Sequence, residues 1–153
     1  MKLRDLSPEN RRWGISVSIV FATGLLLGVG VNAADAGTAY SSDGYYTVAG
    51  HQYVNRAIIN TGPSIVVAIT NTSWSSGSTP TGWAGARGRL FTSGGSLSCE
   101  GSNIYNSSAG SLAVGYSCNR FTSAAWYSYG VSLAWNGGGY TSFYTFKSPK
   151  QNS

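Results

Sequence analysis

The sequence predicts an all-β fold, a small antiparallel β-sandwich of about seven short strands, with a small β-barrel as the alternative. Three observations carry this. Beyond residue 36 no window shows the 3.6-residue apolar period of a helix. Short runs of β-branched and aromatic residues recur between interruptions of Gly, Ser, Thr and Asn, which is the pattern of strands and their turns. The chain has 2 cysteines, Cys99 and Cys118, and a lone pair in an exported domain reads as one disulfide.

A leader precedes the domain. Lys2, Arg4, Arg11 and Arg12 form a basic start, Ile15–Val31 follows without a charge, and small residues then end at Ala33 ("VNA") and Ala36 ("ADA"). That order describes a secretory signal peptide. Residues 1–36 are therefore expected to form a signal-peptide helix cleaved after Ala36, with Ala33 as the alternative, leaving 37–153 as a single secreted β domain. The competing reading is a membrane anchor formed by Ile15–Val31, a run just short of the ~20 residues of a comfortable span. Membrane contact is expected only through that uncleaved segment.

Within the domain, "TAYSSDGYYTVAG" (38–50) reads as loop and a first short strand. "YVNRAIIN" (53–60) reads as a strand, "NTGP" (60–63) as a turn and "SIVVAITN" (64–71) as a central strand. "SWSSGSTPTG" (73–82) is a polar loop. "WAGARGRLFT" (83–92) sets Arg87 and Arg89 on one face and Ala86, Gly88 and Leu90 on the other, a period of two that suits a half-buried strand. "SGGS" (93–96) turns into "LSCEGSNIYN" (97–106), and "SSAGS" (107–111) into "LAVGYSCN" (112–119).

The stretch "WYSYGVSLAWNGGGYTSFYTF" (126–146) carries the strongest hairpin signal, because "NGGG" supplies residues that take positive φ without strain. Its outgoing arm alternates Tyr127, Tyr129, Val131 and Leu133 against Trp126, Ser128, Gly130, Ser132 and Ala134. The return arm alternates Tyr140, Ser142, Tyr144 and Phe146 against Thr141, Phe143 and Thr145. Val131 and Leu133 are expected to mark the core side, with Tyr127 and Tyr129 buried beside them. Trp126 and Trp135, near the ends of the outgoing arm, are then the expected exposed rings, with Asn136 and Arg120 as polar neighbours. The disulfide is expected to fasten the two cysteine segments either within a hairpin or across two sheets.

"GWAGARGRLF", the two following cysteines, the 126–146 stretch and the terminal "SPKQN" resemble a group of small secreted proteins of actinobacteria that share "YYSYG…YNG.GY.TYYT…SP" endings. The resemblance spans about residues 82–152. It implies secretion and one disulfide-linked domain, and it carries no activity or catalytic residue with it.

The domain's charges are sparse: Arg56, Arg87, Arg89, Arg120, Lys147 and Lys150 against Asp43 and Glu100. Mild positive charge favours anionic partners such as wall polymers, but scattered cations make a poor phosphate-reading surface, so no nucleic-acid partner is expected. His51, Asp43 and Glu100 are single representatives of their types in the domain, with no G-x-S-x-G elbow. No catalytic residue, cofactor or metal site is therefore expected. Binding is the better class. Trp74, Trp83, Trp126, Trp135 and 10 tyrosines exceed what so small a core can satisfy. Flat rings beside Asn, Ser and Thr suit sugars. The expected function is a secreted, non-catalytic module for cell-wall polysaccharide or another glycan. The alternative is a structural or protein-interaction role, as toxin, inhibitor or assembly subunit of the cell exterior.

Overall fold

A computed structural model of the chain describes residues 36–153; the expected leader, with its Ile15–Val31 segment, lies outside the described residues. Alternation builds the first layer. In β3 (His51–Gly62) the inward positions Tyr53, Asn55, Ala57, Ile59 and Thr61 are all buried, while Val54, Arg56 and Asn60 face out. β4 (Ile65–Trp74) pairs with it antiparallel from Tyr53↔Trp74 to Gly62↔Ile65. Both strands run further than the sequence predicts. Asn60, Thr61 and Gly62 stay in the ladder because Thr61 is bonded on its far side to Gly37 through N–H and hydroxyl, so the turn shrinks to Pro63 and Ser64. Ser64 takes φ 61° there.

β1 (Thr38–Tyr40) and β2 (Gly44–Val48) pair with the two halves of β3, separated where the Ser41 hydroxyl accepts the Ala57 N–H at 2.9 Å. β9 (Ala113–Tyr116) closes the far side of β4, giving the order β1-β3-β4-β9 with β2 beside β3.

The second layer consists of two four-stranded sheets lying end to end. Its lines are β5 (Ala84–Arg87) with β6 (Arg89–Thr92), β7 (Leu97–Glu100) with β8 (Ile104–Tyr105), β10 (Ala125–Ser128) with β11 (Val131–Trp135), and β12 (Tyr140–Tyr144) with β13 (Gln151–Asn152). One sheet has the order β13-β10-β6-β7 and the other β12-β11-β5-β8. Backbone bonds stitch them at the break: Tyr129 N–H to Arg89 O, Gly101 N–H to Gly88 O, and Thr145 N–H to Gly130 O. The fold is thus an all-β antiparallel sandwich rather than a closed barrel. Among the described residues there are thirteen strands against the expected seven, because each line of this layer is interrupted and because residues 38–50 hold two strands where one is expected.

Glycines cause the interruption. A Cβ on Gly88 would lie 2.5 Å from backbone atoms of Tyr116 and Ser117 in the opposite layer; one on Gly115 would strike Ala86, and one on Gly130 would strike Thr70. The layers touch backbone to backbone at this waist. Two cores flank it. One gathers Val48, Tyr53, Ala84, Ala86, Ala113 and Ala134, with Tyr46, Trp74 and Phe143 packed against them. The other gathers Ile59, Val66, Ala68, Leu90, Cys99 and Trp126. The Cys99–Cys118 disulfide joins β7 of the second layer to the segment leaving β9 of the first, so it spans the sandwich.

The waist corrects the face assignment of the 126–146 stretch. Ser128, Gly130, Ser132 and Ala134 are the inward residues, and Tyr127, Tyr129, Val131, Leu133 and Trp135 point outward. Where two backbones meet, only small side chains fit, so size overrides hydrophobicity in choosing the core side. Trp126 is inward as well and only 6% exposed, against the expectation of an exposed ring.

A polar knot crosses the first core. The Tyr46 hydroxyl meets Ser132 Oγ at 2.8 Å, and Asn55 Nδ2 donates to the same oxygen at 2.7 Å. Burial, tempered by the Ser132 hydrogen bond, pushes the Tyr46 phenol up to about 12. A phenol with a raised folded-state pKa stabilises the fold fully below its unfolded pKa of about 10 and loses that contribution as pH climbs through about 12. Denaturant midpoints should therefore fall between pH 10 and 12, by an amount equivalent to about 2–3 kcal/mol. Tyr46→Phe should flatten that part of the profile; an unchanged alkaline loss in Tyr46→Phe would show that the knot does not govern it.

Candidate functional site: an aromatic and cationic outer face

With the small residues turned inward, the outer face of the second layer receives the rings. Tyr127 stacks on Phe91 with centroids 5.3 Å apart, and Tyr129 stacks on Tyr144 at 5.3 Å. Cations cap these rings. Lys147 Nζ lies 5.3 Å from the Tyr127 centroid and 5.8 Å from that of Tyr129. The Arg89 guanidinium lies 4.9 Å from the Phe91 ring and 5.7 Å from Tyr144. Such contacts contribute roughly 0.5–1 kcal/mol each at exposed sites.

The face continues along β11. Val131, Leu133 and Tyr127 are buried, as the sequence predicts, but outside the two clusters between the layers, because neighbouring side chains of this face cover them. Gly85, opposite Leu133, makes room: a Cβ there would lie 2.9 Å from the Tyr105 ring. Tyr105 packs on Tyr140 at 4.6 Å, and Tyr140 meets Trp135 edge to face at 5.2 Å. The Tyr140 hydroxyl donates to Gly82 O at 2.6 Å, and partial burial, with the nearby phenols of Tyr105 and Tyr53, raises its pKa above the usual tyrosine value. From Tyr127 to Trp135 the row runs about 26 Å at ~3.3 Å per residue.

The accessible rings are Tyr144 (60% exposed), Tyr140 and Tyr105 (38% each), with Tyr129 and Trp135 half-buried between them. Arg89 and Arg87 approach Glu100 at 3.4 and 3.9 Å. With Lys147 added, this face holds more positive than negative charge. The arrangement can stack flat apolar ring faces and attract acidic groups beside them.

The four residues singled out from the sequence do not converge. Trp126 is in the second core. Arg120 sits beside the disulfide, its backbone bridged to Val66 and its guanidinium donating to Ser98 O at 2.6 Å and Ser98 Oγ at 3.2 Å. Trp135 belongs to the ring row. Asn136 follows it but is committed to the turn: its Oδ1 accepts the N–H groups of Gly138 and Gly139 and its Nδ2 donates to Thr141. Trp126 and Trp135 are separated by up to about 30 Å of extended strand. Tyr144, Tyr140, Tyr105 and Arg89 replace them. The alternation of the return strand and of 83–92 already places the first two and Arg89 on common faces. Tyr105 arrives from β8 through sheet pairing and has no local signal.

The titratable residues are dispersed too. Asp43 is paired with Arg56 at the first layer, Glu100 faces Arg89 on the second, and His51 stacks on Trp74 at 3.9 Å. Among the described residues no group of three His, Cys, Asp or Glu side chains is placed to hold a metal ion. No protein-family model, curated protein or solved structure matches the chain.

Proposed function

We propose that the chain is a secreted, non-catalytic binding module whose outer aromatic face holds an extended cell-wall glycan. The row of rings on the outside of a β-layer, instead of between layers, is the observation that carries this reading. Sugars present C–H faces that stack on such rings, and an extended polymer matches a row longer than any single residue of it. The positive excess from Arg87, Arg89 and Lys147 favours a polymer bearing acidic groups. The inter-layer disulfide and the basic leader support export.

Retention of the mature domain on insoluble peptidoglycan and wall polysaccharide tests the proposal. Tyr144→Ala and Trp135→Ala together should weaken retention about tenfold or more, since each stacked ring contributes roughly 0.5–1.5 kcal/mol. The melting temperature should stay within a few degrees, because Tyr144 is exposed and neither ring lies between the layers. A wild-type domain that no glycan retains would overturn the reading and leave a protein partner as the occupant of the face.

A further inference from the structure

The opposite outer face, that of the first layer, carries a depression of about 210 Å³ lined by Asp43, Val54, Arg56, Asn71, Ser73 and Leu112. Register explains its floor. Val54 stands opposite Ser73, and Arg56 opposite Asn71, on the outward side of β3 and β4. Tyr45 stands opposite Val54 on the edge strand, on the same side and 61% exposed, so an open ring flanks the floor.

The polar groups are matched among themselves and yet unsaturated. Arg56 Nε donates to Asp43 Oδ1 at 2.7 Å and Nη2 to Oδ2 at 2.9 Å. A guanidinium has five N–H groups and a carboxylate about four acceptor sites, so both keep capacity in reserve. Asp43, with smaller help from the phenols of Tyr45 and Tyr40, raises the Arg56 pKa above its ordinary value. The pair is therefore a fixed dipole without net charge. Asn71 lines the depression, and with its Oδ1 enclosed the side chain meets a guest through Nδ2; Ser73 Oγ donates to Trp74 O at 3.1 Å and still accepts.

These features select a ligand class. An anion meets the Asp43 carboxylate and a cation meets Arg56, each without a net counter-charge. An apolar guest would strand the dipole, taking its unused donors and acceptors from water without replacing their hydrogen bonds. Adjacent hydroxyl groups donate to the carboxylate and accept from the guanidinium in one gesture. The volume is below the roughly 300–1,000 Å³ of drug-sized sites, which fits one ring.

We propose that this depression is a separate subsite for one neutral sugar residue, held through adjacent hydroxyls by Asp43, Arg56 and Asn71 and flanked by Tyr45. It lies on the layer opposite the ring row and does not depend on it. A domain with both sites would bridge two glycan strands.

Titration of the isotope-labelled mature domain with methyl β-glucopyranoside and with N-acetylglucosamine, followed by NMR, tests this. At least one should give saturable shifts at the Arg56 Nε–H and the Asn71 side-chain amide. Asn71→Ala should weaken that binding about tenfold, the equivalent of a lost hydrogen bond. It should keep the melting temperature within a few degrees, because Asn71 stands on the outward side of β4 and outside both cores. Tyr144→Ala should leave the shifts intact, which separates this site from the platform. Absence of saturable shifts with both sugars, equal binding by Asn71→Ala, or tighter binding of glucuronate than of the neutral glucoside would each overturn the proposal.

Discussion

Replacing Trp126 by Ala should destabilise the domain by about 3–5 kcal/mol, the cost of truncating a core Trp. The indole is 6% exposed among Ile59, Val66, Ala68, Leu90 and Cys99. Those neighbours cannot close over the void, since backbone contact at the glycine waist fixes the layer spacing at one end and the disulfide at Cys99 pins the other. In a domain of this size the loss should lower the melting temperature by more than about ten degrees. The indole N–H is buried without a hydrogen-bond partner. Trp126→Phe removes that unpaired donor while keeping most of the ring, so it should cost less than half as much. Urea midpoints of the two variants check both statements. A change below about 1 kcal/mol for Trp126→Ala would place the ring outside the core and reverse the face assignment on which the platform rests.

Opening the Cys99–Cys118 bond should cost about 3 kcal/mol, the chain-entropy value for a loop of this length. The crosslink unites β7 and the end of β9, elements of different layers whose meeting is otherwise secured by packing across the waist and by the Arg120 contacts to Ser98. Alkylation should label no thiol in the native protein and both after reduction. The double Cys99→Ala, Cys118→Ala variant should melt well below the oxidised wild type. Labelling of the native protein at both positions would contradict the crosslink.

Local chemistry made part of this fold readable in the sequence. Arg87 and Arg89 alternate with Ala86, Gly88 and Leu90, and the structure turns the arginines out and the smaller residues in. "NGGG" forms the loop between β11 and β12, with Asn136 N–H bonded to Gly139 O. The side of the 126–146 stretch that meets the core was not readable, because two alternating faces are both plausible until the partner layer is known. Hydrophobicity points to Val131 and Leu133. The gap admits only Ser128, Gly130, Ser132 and Ala134, and that constraint comes from the opposite layer, where Thr70 meets Gly130 from an element far along the chain. The same non-local origin hides Tyr105 from the site and Asn71 from the depression.

Oxidative footprinting of the tyrosines, in the mature domain free and bound to wall polysaccharide, tests the central claim most directly. Tyr144, Tyr140 and Tyr105 are accessible in the unbound domain, so each should react there. On binding, all three should become protected together, because one polymer lying along the row covers them at once. If they react as readily in the bound domain as in the free one, the outer aromatic face is not the glycan-binding surface.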